Sequence, residues 1–105
     1  MYNEKELMKT RKEILRTLEE HRDDISRLGA RRLALFGSAA RGEQNERSDL
    51  DFLVEFEKKT FDAYMDLKDF LEGLFHCRVD LVLPSTLKPR LRERILSDTV
   101  DVQGL

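Results

Sequence analysis

One cysteine, two histidines and two prolines are all that this chain of 105 residues holds of those types. Cys77 alone permits no intramolecular disulfide and fits a reducing compartment. The two isolated histidines, His21 and His76, supply no zinc site. No apolar run approaches the length that spans a bilayer, and the charged start, MYNEKELMKTRKE, predicts no signal peptide. An excess of positive charge is also missing: Lys+Arg 19 against Asp+Glu 21 gives a net charge of -2, which disfavours direct nucleic-acid binding. Neither repeats nor linkers break the chain, so one domain with one modest core is expected, residing in the cytoplasm.

What the chain does have is periodicity. Leu7, Ile14, Leu18, Ile25 and Leu28 recur at helical spacing, predicting an N-terminal helix over about Glu4–Leu28, stopped by Gly29. Arg32 to Phe36 reads as a short strand and Asp49 to Phe56 as a second, with Leu50, Phe52, Val54 and Phe56 on one face. Between them, Ser38 to Arg41 predicts one or two helical turns capped by Ser38, and Glu43 to Arg47 a polar loop. Thr60 caps a long helix presenting Tyr64, Leu67, Leu71 and Leu74. Arg78 to Leu83 is a third strand, and a last helix spans about Leu87–Asp98 with Pro89 in its first turn. The order describes an α+β fold, a small mixed sheet flanked by helices, with a core of about Arg31–Leu83.

The chemistry concentrates in LFGSAARGEQNERSDLDFLVEF, from Leu35 to Phe56. Asp49 and Asp51 stand two positions apart on a strand and so face the same way. Two such carboxylates can hold two divalent ions roughly 4 Å apart, relieving the charge of a phosphate under attack and of its leaving group. Magnesium, two ions of it, suits these hard oxygens. Gly37 allows the backbone to approach a triphosphate, the Ser38 hydroxyl and the following amides donate to its oxygens, and Arg41 adds a charged contact. Asp80 lies in an apolar strand between Val79 and Leu81, where a charge needs a partner, and strand alternation lets it share the face of Asp49 and Asp51.

Gly37-Ser38-Ala39-Ala40-Arg41-Gly42, then Ser48-Asp49-Leu50-Asp51, then Val79-Asp80-Leu81-Val82, together resemble the minimal nucleotidyltransferases of the DNA polymerase β-like superfamily. The resemblance covers roughly Leu33 to Val82. It implies a polymerase β-like nucleotidyltransferase fold, with magnesium held by Asp49, Asp51 and Asp80 and the nucleotide met by Gly37 and Ser38. Many such small proteins are antitoxins paired with a HEPN-domain toxin, and members of that group transfer AMP from ATP to a tyrosine of the partner. Phe75-His76-Cys77-Arg78 departs from the family pattern, which carries a glycine-containing turn there.

The domain is too short to enclose a small acceptor as well as a nucleotide. The acceptor surface is therefore expected from another chain, and a HEPN toxin is the partner the resemblance implies. Two other readings stand beside it. One is a non-catalytic antitoxin that neutralises its partner by occlusion. The other is a transferase acting on a small hydroxyl compound or an RNA end. The basic stretch Lys88-Pro-Arg-Leu-Arg-Glu-Arg reads as a solvated helix face, with an acidic partner or an RNA acceptor as the rival. Homo- or hetero-oligomerisation stays open.

Overall fold

Thr10 opens the described chain by folding back on itself. In this computed structural model, which describes residues 10–42 and 49–105, its hydroxyl accepts from the Glu13 amide at 3.1 Å, while its own amide donates to Glu13 Oε1 at 3.1 Å. This reciprocal cap starts helix α1, Arg11–Glu20, and satisfies donors that the first turn would otherwise strand. The expected stretches before Thr10 and between Gly42 and Asp49 lie outside the described residues.

The single N-terminal helix expected through Leu28 is two. Helix α1 stops at His21 (φ -110°, ψ 17°), and α2 runs Arg22–Arg27. At the break, Thr17 O takes both the His21 amide at 3.2 Å and ring Nδ1 at 2.8 Å. The imidazole then meets Phe70 edge-on, with centroids 6.1 Å apart. Periodicity missed this because Ile14, Leu18 and Ile25 stay buried on either side of the break.

Strand β1, Ala30–Phe36, pairs antiparallel with β2, Leu50–Phe56, and β2 pairs parallel with β3, Val79–Val82. Parallel neighbours need a crossover, supplied by α3, Phe61–Phe75. The Thr60 hydroxyl accepts the Ala63 amide at 3.0 Å and starts that helix as expected. Helix α3 closes on His76 in the left-handed region (φ 56°, ψ 39°), so a histidine occupies the turn where glycine is customary. A 3-10 turn, Pro84–Thr86, leads into α4, Pro89–Ser97.

The sheet has four strands where three were expected. Val100–Asp101 forms β4 against Ala34 and Leu35, giving the order β3-β2-β1-β4. Two residues carry no readable period, and the strand exists because β1 offers a free edge.

One sheet face carries Leu33, Leu35, Phe52, Val54, Val79 and Leu81 into a core with Ile14, Leu18, Ile25, Leu67 and Leu71. Fully burying each large side chain contributes about 1.5–3 kcal/mol, which holds the helices to this face. The opposite face carries Arg32 beside Glu55, Ala34 beside Leu53, and Phe36 beside Asp51. Among the described residues no helix is long and apolar enough to cross a membrane.

Candidate active site

Strand β1 ends where Gly37 (φ 77°) turns the chain out of the sheet. The Arg41 amide returns to Gly37 O at 3.2 Å and the Gly42 amide to Ala39 O at 3.2 Å, closing a single turn rather than a helix. Ala39 and Ala40 are buried and anchor the turn, while Arg11 Nη1 of α1 donates to Ala40 O at 3.1 Å. No described carbonyl accepts from the amides of Ser38, Ala39 or Ala40. A turn whose amides meet no carbonyl among the described residues is suited to oxyanions. The Arg11 tie joins residues distant in sequence, and no local signal could have found it.

The second component is on β2, next to this turn. A Cβ added to Gly37 would lie 2.5 Å from Asp51 Oδ2 and 3.3 Å from its Cγ, so the carboxylate packs into the space that glycine leaves. Because β2 lies between β1 and β3, Asp51 is opposite Phe36 on one side and Asp80 on the other. Sequence reasoning passed over Phe36, which register puts at the site. Asp49 immediately precedes β2, and the following residue is fixed by Leu50 N–H donating to Arg78 O at 3.0 Å.

Electrostatics bind the three carboxylates into one group. Burial raises the Asp51 pKa above the ordinary aspartate value; the charges of Asp80 and Asp49 and a hydrogen bond with Asp80 push the same way, against the opposing Arg41 charge. Arg41 is thus within electrostatic reach of Asp51, and its side chain is exposed. Asp80 is also exposed, and Asp49 is half-buried. Among the described residues no three His, Cys, Asp or Glu side chains converge into a ready-made coordination sphere. The donor set still fits a hard divalent cation: it is all carboxylate oxygen, and the repulsion among the three carboxylates, only opposed by Arg41, is what such a cation would relieve.

Other polar or reactive side chains sit apart from this group. Glu55 is exposed at the far end of β2 and accepts from Arg32 Nη1 at 3.3 Å. Arg32 Nε also meets Asp101 of β4 at 3.0 Å. Cys77 packs half-buried against the core.

The nucleotidyltransferase domain family matches this chain over residues 8–102. Protein adenylyltransferase MntA of Thermococcus cleftensis is 39% identical over 97 residues, covering 90% of this chain and 98% of that protein. A solved minimal nucleotidyltransferase structure is similar at 46% identity with a TM-score of 0.69, covering 82% of this chain and 93% of its own. A toxin-antitoxin structure with AMP-PNP shares the fold at 23% identity, with a TM-score of 0.66, and covers 83% of this chain and 73% of that one. Family match, sequence identity and fold similarity agree, and the chain belongs to the nucleotidyltransferase domain family as a minimal nucleotidyltransferase.

Proposed function

We propose that the protein transfers AMP from ATP to a tyrosine of a partner protein, a HEPN-domain toxin, and thereby acts as an antitoxin. The observation that carries this reading is the meeting of Asp51 with Asp80 and Asp49 beside a glycine turn. The name of the Thermococcus relative, a protein adenylyltransferase, supports the reaction, and the toxin-antitoxin assembly among the fold neighbours is consistent with the partner.

In this reading the turn holds the triphosphate. Ser38 and the amides of Ser38, Ala39 and Ala40 donate to its oxygens, and Arg41 offsets their charge. Gly37 keeps the backbone close and leaves room for the Asp51 carboxylate. Asp49, Asp51 and Asp80 would hold magnesium, which supplies charge neutralisation at the phosphates and the leaving group. Asp80, exposed on the outer strand, accepts the proton of the attacking hydroxyl. The phenolic oxygen bonds to the α-phosphorus, the bond from that phosphorus to the β-phosphate bridging oxygen breaks, and pyrophosphate departs.

Incubation with α-labelled ATP, magnesium and the HEPN-domain partner tests this. Label should move to the partner with wild type and not with Asp49→Asn/Asp51→Asn. Equal labelling by both proteins, or none by either, removes the catalytic reading.

A further inference from the structure

Beyond the carboxylates, the same sheet face opens into a groove of about 440 Å³ at the other end of β2. Glu55 lies on the Asp51 face four residues along the strand, about 13 Å away at the usual rise. Its lining includes Arg32, Glu55, Lys59, Leu83 and Ser85, together with Arg92 and Leu96 of α4.

Its charges are of two kinds. Arg32 is spoken for: Asp101 and Glu55 both pair with it. Lys59 and Arg92 are oriented without being neutralised by any described carboxylate. Lys59 Nζ donates to Ser85 Oγ at 3.1 Å, and Arg92 Nε donates to Pro84 O at 3.2 Å, both uncharged acceptors. Helix α4 continues the pattern: Lys88 at its cap and Arg90, Arg92 and Arg94 within it stand against Glu93. No ion pair among the described residues involves them. None of the helix is buried, and Leu91 is 46% exposed among these cations. In a chain of net charge -2, positive charge gathered around one groove is a directional signal.

We propose that this groove and the adjoining face of α4 dock an acidic segment of the acceptor protein that also carries apolar side chains, an inference that rests on the protein-adenylyltransferase reading. Acidic side chains would meet Lys59 and Arg92 with little ordering cost, because both are already held. Apolar ones would cover Leu83, Leu91 and Leu96. Docking here leaves the segment on the same face as Asp51 and Asp80. A polypeptide fits better than RNA, because its acidic side chains can be confined to the groove, whereas a continuous polyanion running along the face would meet Asp51 and Asp80.

The test compares wild type with Lys59→Glu/Arg92→Glu, using the HEPN-domain partner as probe and reading both label transfer and fluorescence-anisotropy binding. The variant should raise KM for the partner and weaken binding roughly tenfold, with kcat and KM for ATP unchanged. Wild-type binding should also weaken with salt more steeply than the variant's. Should charge reversal unfold the domain, Lys59→Ala/Arg92→Ala must give the same KM-only effect, reduced in size. Transfer and binding indifferent to both variants overturn the docking surface and leave the transferase reading standing. If wild type transfers no label, that reading fails, and binding alone then judges the groove by the same tenfold criterion. Loss of oligouridine binding without loss of partner binding overturns the proposal in favour of RNA.

Discussion

Gly37→Ala tests whether the turn and the carboxylate are one construction. Two costs are involved. A residue with a Cβ at φ 77° sits in the left-handed region, which costs about 1–2 kcal/mol. The new Cβ would also stand 2.5 Å from Asp51 Oδ2, so the carboxylate must swing off its position, at about 0.5–1.5 kcal/mol. Together they predict a loss of about 1.5–3.5 kcal/mol, or a melting temperature lower by roughly 7–16 °C for a domain of this size. Gly42→Ala supplies the comparison, since its φ is 73° but a Cβ there meets nothing within 4 Å. It should show only the backbone cost. Misplacing Asp51 by such a shift should lower transfer about a hundredfold in Gly37→Ala, against a few-fold at most in Gly42→Ala. Circular-dichroism melts and the label-transfer assay read the two effects. In an Asp51→Ala background the excess stability cost of Gly37→Ala should vanish, because the clashing atoms are gone. Equal costs for Gly37→Ala and Gly42→Ala, with the excess unaffected by Asp51→Ala, would falsify the account.

Asp51 itself should be a stability liability when no cation is bound. Its folded-state pKa is raised, so its contribution is fully present below the unfolded pKa and is lost as pH rises through the folded value. In chelator, Asp51→Asn should therefore melt higher than wild type at neutral pH, and the difference should shrink as pH falls into the carboxylate range; magnesium should raise the melting temperature of wild type only. Ser38→Ala should lower transfer about 10–100-fold if its hydroxyl donates to a charged phosphate oxygen, with the melting temperature little changed. His76→Gly should raise stability by about 1 kcal/mol in denaturant titration, because histidine holds a left-handed cap that glycine adopts without strain.

The parts of the site legible in the sequence were those set by local geometry. Alternation gave the common face of Asp51 and Asp80, and the Gly-Ser pair marked the turn at the end of β1. Asp49 was expected as the first strand residue and lies just before it, within the usual uncertainty of element ends. What could not be read depended on contacts between distant segments. At the break, the His21 ring meets the distant Phe70 as well as Thr17 O, and β4 pairs through Ala34, Leu35 and the Val102 amide donating to Leu33 O at 2.9 Å. Register is of the same kind: parity could align Asp51 with Asp80, but only the docking of β3 makes them neighbours.

That docking has a temporal side. The parallel pair is separated by the whole of α3, so β3 closes on β2 through the longest-range pairing that the site requires. A chain emerging from synthesis presents the turn, Asp49 and Asp51 well before Asp80 is available. In the proposed reading no transfer happens in that interval, because Asp80, the carboxylate assigned the proton, has not arrived. Competence for the proposed transfer then waits on β3, and a nascent copy that has not yet paired β3 with β2 stays chemically silent.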